Sequence, residues 1–402
     1  MSDEWVETTL GEVANYINGY PFKPADLSGS RLPVIRIKQL LDPSADVDYT
    51  DVDVPDKVLI SDGDLIFSWS GSLASRIWDR GAAALNQHLF RVVERPGVSR
   101  GWLHLALDHA VTDLMEKTHG TTMKHVTKGV LESHRVTLPP LAVQRRIVDL
   151  MAHLDNHLAN LRAEREALVM ARTLFIDELT CGPLSIGGRF GALDEWQERS
   201  IGNLCTIKSG YAFKSSDWIE GGTPVIQIGN VKDFRIDSES MKSVSEEIAE
   251  SAKRFRVVNG DILVAMTGNV GTVARVTALE EGFLVNQRVG LITECQTDQV
   301  DPDWLFFLLK SSPCQEGMRG RSKKSIQANI SPTEFHGIPV RIPPLPAQRE
   351  IAALLGAISD DVRTLDVEAA GLSDARTVVL TRLLSNSFDF PAGYDSLLVE
   401  VA

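Results

Sequence analysis

The chain has 402 residues, 43% hydrophobic and 24% charged, the mixture of a globular protein with room for two or three domains. Its net charge of −13 argues against a general polyanion binder, though not against a local basic surface. The cysteines at 181, 205, 295 and 314 form no CxxC pair, no apolar run reaches bilayer-spanning length, and the opening MSDEWVETTL lacks a secretory pattern, so a reduced, cytoplasmic setting without a metal site is expected.

Residues 1–138 carry short β-type runs, PVIRIKQL, DLIFSWS and LFRVV, punctuated by Gly, Pro and Asp, with a helix expected over 101–117. After Pro139-Pro140 comes a long helix, taken as 139–181, with apolar positions at Ile147, Met151, Leu154, Leu158, Leu161, Leu168 and Phe175. Residues 182–342 return to β-type runs (PVIQIGN, DILVAMT, FLVNQRVGLIT) and a helix over 302–310. A second long helix and tail fill 343–402, with Ile351, Leu355, Ile358, Val362, Leu365, Ala369, Leu372, Val379 and Leu383 in line. The alternating four-and-three spacing is a heptad seam, which Arg165, Arg172 and Arg376 interrupt. A lone heptad helix leaves its stripe in water, so the two helices are expected to pair.

The second half repeats the first. Gly11, Gly19, Tyr20, Phe22, Lys23 and Asp26 stand opposite Gly202, Gly210, Tyr211, Phe213, Lys214 and Asp217, an offset of 191. Gly63-Asp64 matches Gly260-Asp261 at 197, Asn86-Gln87 matches Asn286-Gln287 at 200, and LPPLAVQRRI matches IPPLPAQREI at 204. The offset only grows, which means small insertions and no rearrangement. The expected fold is mixed α/β: two tandem heads separated by two long antiparallel coiled-coil helices, related by a pseudo-twofold axis.

Those duplicated motifs, each head ending in a Pro-Pro-Leu…Gln-Arg box and a heptad helix, resemble the DNA-specificity subunit of type I restriction–modification systems over nearly the whole chain. The resemblance implies two target-recognition domains, each reading one half of a bipartite, gapped double-stranded DNA. It also implies a non-catalytic role, with two methyltransferase subunits docked on the helices and a restriction–translocase subunit joining for cleavage. S-adenosylmethionine, ATP and magnesium would then sit on those partners, with no cofactor on this chain. Head two carries extra residues before its Asn-Gln pair, so the two half-sites should differ.

Basic and amide side chains on loops are the candidates for DNA contact, since Arg and Lys suit guanine, Asn and Gln suit adenine, and all bind phosphate. In the first head these are Thr121, Thr122, Lys124, His125 and Lys128, with Lys23, Arg36, Lys38, Gln39, Arg76, Gln87 and His88. In the second they are Arg319, Arg321, Lys323, Lys324, Gln327 and Asn329, with Lys214, Gln227, Asn230, Lys232, Arg275, Gln287 and Arg288. A basic loop is equally a solvated face, and the Asn-Gln pairs could equally close strand ends. The acidic excess is concentrated in 42–56 and 237–250, loops expected to point away from phosphate. On the helices, Gln144, Arg145, Arg146, Gln348, Arg349 and Glu350 present the same chemistry twice and are the candidate docking surface for two copies of one partner. No phosphate-loop, dinucleotide, GxSxG or HExxH motif occurs. The rival reading is a coiled-coil scaffold whose heads bind protein.

Overall fold

A computed structural model describes residues 4–116, 126–180, 195–322 and 328–387. They fall into two compact units, one drawn from residues 1–161 and 368–402, the other from 162–367. Thr121, Thr122, Lys124, His125, Lys323, Lys324 and Gln327 lie outside the described residues, as does the side chain of Arg321.

The first unit runs β1 (Val6–Thr9), α1 (Leu10–Val13), β2 (Ala14–Asn18), β3 (Leu32–Ile35), α2 (Ile37–Leu41), β4 (Asp48–Thr50), β5 (Leu59–Ile60), β6 (Leu65–Ser68), β7 (Ala74–Ile77), β8 (Ala83–Leu85), β9 (Leu89–Glu94), α3 (Arg100–Glu116), α4 (Lys128–Glu132) and β10 (Arg135–Leu138), then enters the long helix α5 (Leu141–Thr180). One sheet has the order β2-β9-β6-β7 and is antiparallel throughout; the other, β4-β3-β8-β5, contains a parallel β3–β8 pair. Strand β6 is buried on both faces, with the period of two expected of a pleated strand. Leu65 and Phe67 join Phe90, Trp102 and Leu103 in one core, while Ile66 joins Ile35, Leu85 and Leu89 in another. Each such large side chain contributes about 1.5–3 kcal/mol on burial.

The second unit repeats the scheme with β11 (Gln197–Ser200), α6 (Ile201–Leu204), β12 (Thr206–Ser209), β13 (Trp218–Ile219), β14 (Thr223–Ile226), β15 (Lys242–Val244), α7 (Glu246–Ser251), β16 (Ile262–Ala265), β17 (Val273–Arg275), β18 (Leu284–Val285), β19 (Val289–Thr293), α8 (Pro302–Lys310), α9 (Ser312–Ser322), α10 (Pro332–His336), β20 (Pro339–Ile342) and the helix α11 (Leu345–Leu384). The sheet β12-β19-β16-β17 matches β2-β9-β6-β7; β13-β15-β14-β18 repeats β4-β3-β8 with its parallel pair, but adds β13 beside β15 and keeps only the bridge Arg256–Leu284 where β5 pairs with β8. In both units a two-stranded ladder, β1–β10 or β11–β20, joins the start of the head to the strand that precedes a long helix.

The repeated motifs have structural causes. Gly19 and Gly210 sit where the backbone crosses β8 or β18; an added Cβ would lie 2.2 Å from Asn86 O or Val285 O. Gly63 and Gly260 take φ of 89° and 96°, and the aspartate after each accepts a backbone N–H, Ser61 N at 2.9 Å or Val258 N at 2.8 Å.

In each unit the long helices run antiparallel. In the first, Ile147 and Met151 share a core with Leu380 and Leu383, and Asp155 meets Arg376. In the second, Arg165 meets Asp366, and Ile176 and Leu179 share a core with Ile351 and Leu355. The seam differs from expectation in two ways. Its outer ends are covered by the heads as well as by the other helix, since Trp102 and Trp304 lie in the same cores. Phe175 is off the seam and 41% exposed; Ile176 takes the buried place, because the stripe steps through Arg172 and then by four.

Candidate nucleic-acid interface

A polar cleft of 600 Å³ in the second unit is lined by Ser209, Met266, Thr267, Gln287, Arg288 and Asn329, and closed by Ile330, Ser331 and Pro332. Four chain segments meet there, held by backbone bonds. Met266 N donates to Arg288 O (3.1 Å), Ile330 N to Met266 O (2.9 Å), Gly268 N to Ala328 O (2.9 Å) and Gln287 N to Tyr211 O (2.9 Å). The turn that carries Gln287 and Arg288 is closed from within, with Asn286 Oδ1 accepting from Arg288 N at 3.3 Å. Gln287 and Arg288 therefore project outward from a fixed turn, and both are exposed.

The first unit builds the same turn. Trp69 N donates to His88 O (3.4 Å), Val126 N to Trp69 O (3.0 Å), and Asn86 Oδ1 accepts from His88 N at 3.4 Å. Gln87 is exposed, and the His88 ring rests against Trp69, centroids 5.6 Å apart. The Asn of each Asn-Gln pair closes the strand end, and the Gln is the free side chain. Trp69, Met266, Thr267 and Ser209 were not singled out from sequence; the one available signal was the alignment of SWSG with AMTG after a buried strand.

Other candidates are placed as follows. Lys23, Lys38, Lys214 and Lys232 are exposed, Gln227 is half-buried, and Lys128 donates to Tyr16 O at 2.9 Å. Arg36 is half-buried against Asp48 (3.1 Å). Arg319 is exposed but lies in α9, so the expected basic loop begins as a helix. Thr267 Oγ1 donates to Asn329 Oδ1 at 3.3 Å, tying Asn329 to the cleft wall.

Several expectations are corrected. Gln39 and Asn230 are 3% and 5% exposed. The Gln39 amide accepts from Arg36 N and donates to Asp46 O; the Asn230 amide accepts from Gln227 N and donates to Asp237 O. Both close their own loops and offer nothing to DNA. Arg275 is turned toward α8, where it pairs with Asp303 and stacks 4.7 Å from Phe306; Arg76 on β7, whose register matches it to Ala274 and not to Arg275, pairs with Asp79 (3.8 Å). Arg275 does not line the cleft.

On the helices, Gln144 and Gln348 are fully buried, so they are withdrawn from the expected docking surface. Gln144 Oε1 accepts from Ser99 N (2.6 Å), and its Nε2 donates to Gly97 O (3.0 Å) and Pro139 O (2.8 Å). Gln348 repeats this with Asp301 N (2.8 Å), Gln299 O (2.9 Å) and Pro343 O (2.9 Å). Each glutamine clamps the start of a long helix to the loop before α3 or α8. Arg145, Arg349 and Glu350 remain exposed, and Arg146 half-buried.

Among the described residues no group of His, Cys, Asp or Glu could hold a metal ion, and no helix is long and apolar enough to cross a membrane. A family model described as the type I restriction modification DNA specificity domain matches residues 2–169 and 193–366. The chain is 24% identical over 376 residues to the type I restriction enzyme EcoBI specificity subunit of Escherichia coli, covering 87% of this chain and 78% of that one. It is 23% identical over 402 residues to the MjaVIII specificity subunit of Methanocaldococcus jannaschii, covering 96% and 93%. Among solved structures, the type I restriction-modification S subunit from M. genitalium shares the fold, with a TM-score of 0.58, 16% identity and coverage of 97% and 98%. With both of its repeats matched, the chain belongs to the family of type I restriction–modification DNA-specificity subunits.

Proposed function

We propose that this chain reads a bipartite, gapped double-stranded DNA, one half-site per head, and carries two methyltransferase subunits on its long helices, with a restriction–translocase subunit joining for cleavage. The heads are 1–138 and 182–342, and the spacer helices lie within 139–181 and 343–402. The carrying observation is the outward glutamine on an internally closed turn, built twice by the same backbone bonds. A rigid turn costs little entropy when its side chain docks, and a glutamine amide matches the adenine edge in the major groove. The next residue differs, His88 in one head and Arg288 in the other, and arginine suits guanine, so the half-sites differ. The chain contributes positioning. S-adenosylmethionine, ATP and magnesium act on the partner subunits, and the complex works in the cytoplasm.

The test is to bind the chain together with a methyltransferase subunit to random duplexes and sequence the bound fraction. A two-part motif with one fixed gap is expected. Absence of any enriched motif would sink the proposal and favour a protein-binding scaffold.

A further inference from the structure

The two units place an arginine at the same point of the repeat and surround it differently. Arg376 in the first unit and Arg172 in the second are related by the offset of 204 that relates the long helices. Arg376 donates to both oxygens of Asp155, at 2.8 Å for the longer contact, and Asp108 adds a second nearby carboxylate. In the second unit Ser359 stands at the place of Asp155, and Lys310 at that of Asp108 by the offset of 202 that aligns Trp102 with Trp304. Ser359 donates its hydroxyl proton to Leu355 O (2.8 Å). Two carboxylates have become a neutral hydroxyl and a cation.

Arg172 is 7% exposed. Its guanidinium lies 3.5 Å from the centroid of Phe234, and the Lys310 ammonium lies 3.8 Å from the same centroid. Asp233 pairs with Lys310. Among the described residues Arg172 has no ion-pair partner, and its Nε is shielded from solvent with no acceptor. Burial pushes Arg172 down from the usual arginine range, whereas the bond to Asp155 holds Arg376 above it.

Arg172 lines a cleft of 760 Å³ with Phe234, Phe306 and Ser359. The other charges of this cleft largely pair among themselves: Arg165 with Asp366, Arg275 with Asp303, Arg363 with Asp360 and Arg349 with Asp301. That leaves a buried guanidinium facing open space. Asp233 and Asp366 attract Arg172, but each is in contact with another cation, Lys310 or Arg165; a buried charge with no carboxylate in contact is costly, and a planar guanidinium is matched by the two oxygens of a carboxylate or phosphate.

We propose that this cleft in the second unit binds a small oxyanion, which takes beside Arg172 the place that the Asp155 carboxylate fills beside Arg376. The recognised group is a carboxylate or a phosphate, and the volume admits a molecule larger than the group itself.

The experiment follows thermal unfolding of the full chain while inorganic phosphate or, separately, acetate is titrated against sodium chloride at matched ionic strength. At least one of the two should raise the transition saturably, and whichever does names the group. Ser359→Asp restores the internal carboxylate. It should raise the transition without added anion and weaken anion binding by about tenfold or more, the loss expected when a charge-assisted contact is pre-empted. Arg172→Met should abolish the response; should that variant fail to fold, Ser359→Asp decides alone. A response to neither anion, or one of equal size in wild type and Ser359→Asp, overturns the proposal. None of these readings involves DNA, so their failure would not be the failure of target reading.

Discussion

After β3 the first unit turns into α2 and β4, with Gln39 holding the loop closed; after β14 the second unit makes a longer excursion through residues 227–241, with Asn230 in the same office at an offset of 191. The excursion brings Asp233 and Phe234 onto α8, against Lys310 and Phe306, a contact for which the first unit has no counterpart segment. The β2-β9-β6-β7 sheet and its counterpart β12-β19-β16-β17 are alike strand for strand, and the other two sheets share three strands and differ at their edges. The comparison separates two kinds of residue that look the same in sequence. Amides at the feet of the loops are spent on the fold and recur. At the tips of the turns Gln87 and Gln287 recur as exposed side chains, and the units diverge at the next residue, His88 against Arg288.

The largest effect expected from this comparison falls on the buried clamps. Leucine at position 144 or 348 would strand one backbone N–H and two carbonyls, so Gln144→Leu and Gln348→Leu should each cost about 2–4 kcal/mol. Urea unfolding read by segment-resolved hydrogen exchange checks this. The loss should appear in the first unit for Gln144→Leu, in the second for Gln348→Leu, and at similar size. A large loss in one and none in the other would break the equivalence of the two junctions.

Next comes the reading of DNA. Gln287→Ala with Arg288→Ala should remove about 1–3 kcal/mol of base discrimination. The change should be confined to one half-site, as measured by competition binding against singly altered duplexes with the assembled complex. Gln87→Ala with His88→Ala should touch only the other. Loss of preference at both half-sites from either pair would contradict independent heads.

Much of the architecture was legible in the sequence because it was written twice. The heptad seams gave both long helices, their pairing and the arginines that interrupt them. The Gly-Tyr and Gly-Asp motifs recurred because a Cβ at Gly19 would strike Asn86 O and because Gly63 needs a positive φ. What repetition could not reveal is the purpose of a polar residue. Gln144 and Gln87 are both duplicated glutamines, yet one is fully buried and the other exposed. Which is which depends on the loop before α3, which lies 45 residues from Gln144 in the chain. Phe175 was misplaced for a related reason, since an arginine on the seam breaks the apolar count that located the stripe.

A smaller effect is set by pH. His104 lies in the first unit at the place of Phe306 in the second. Its Nδ1 is 2.6 Å from Ser75 Oγ, and Ser75 also donates to Asp108. Burial lowers the pKa of His104 below 6.5, against the opposing pull of Asp108, so the folded unit holds it neutral. The unfolded chain takes up a proton near pH 6.5 that the folded chain refuses. This group's contribution is therefore present in full above that pH and declines as pH falls toward the folded value. Unfolding midpoints from about pH 8 to about pH 5.5 should fall more steeply for wild type than for His104→Phe. Equal slopes would mean that His104 is as free to protonate folded as unfolded.

The smallest effect belongs to the pair Arg165–Asp366, whose side chains are 42% and 51% exposed. In high dielectric the attraction nearly balances the entropy of holding two long side chains, so Asp366→Ala should cost about 0.5 kcal/mol at low salt and nothing measurable near 1 M. The corresponding change in the first unit, Asp155→Ala, should cost more and keep more of its cost in salt, because Arg376 is only 24% exposed and would be left short of a partner. Guanidinium chloride screens charge and would mask the contrast, so urea at two sodium chloride concentrations is the proper measurement. If both variants respond alike to salt, the depth of the arginine on the seam is not what distinguishes the two units. The contrast between an Arg376 in contact with a carboxylate and an Arg172 with none in contact among the described residues would then lose its energetic footing.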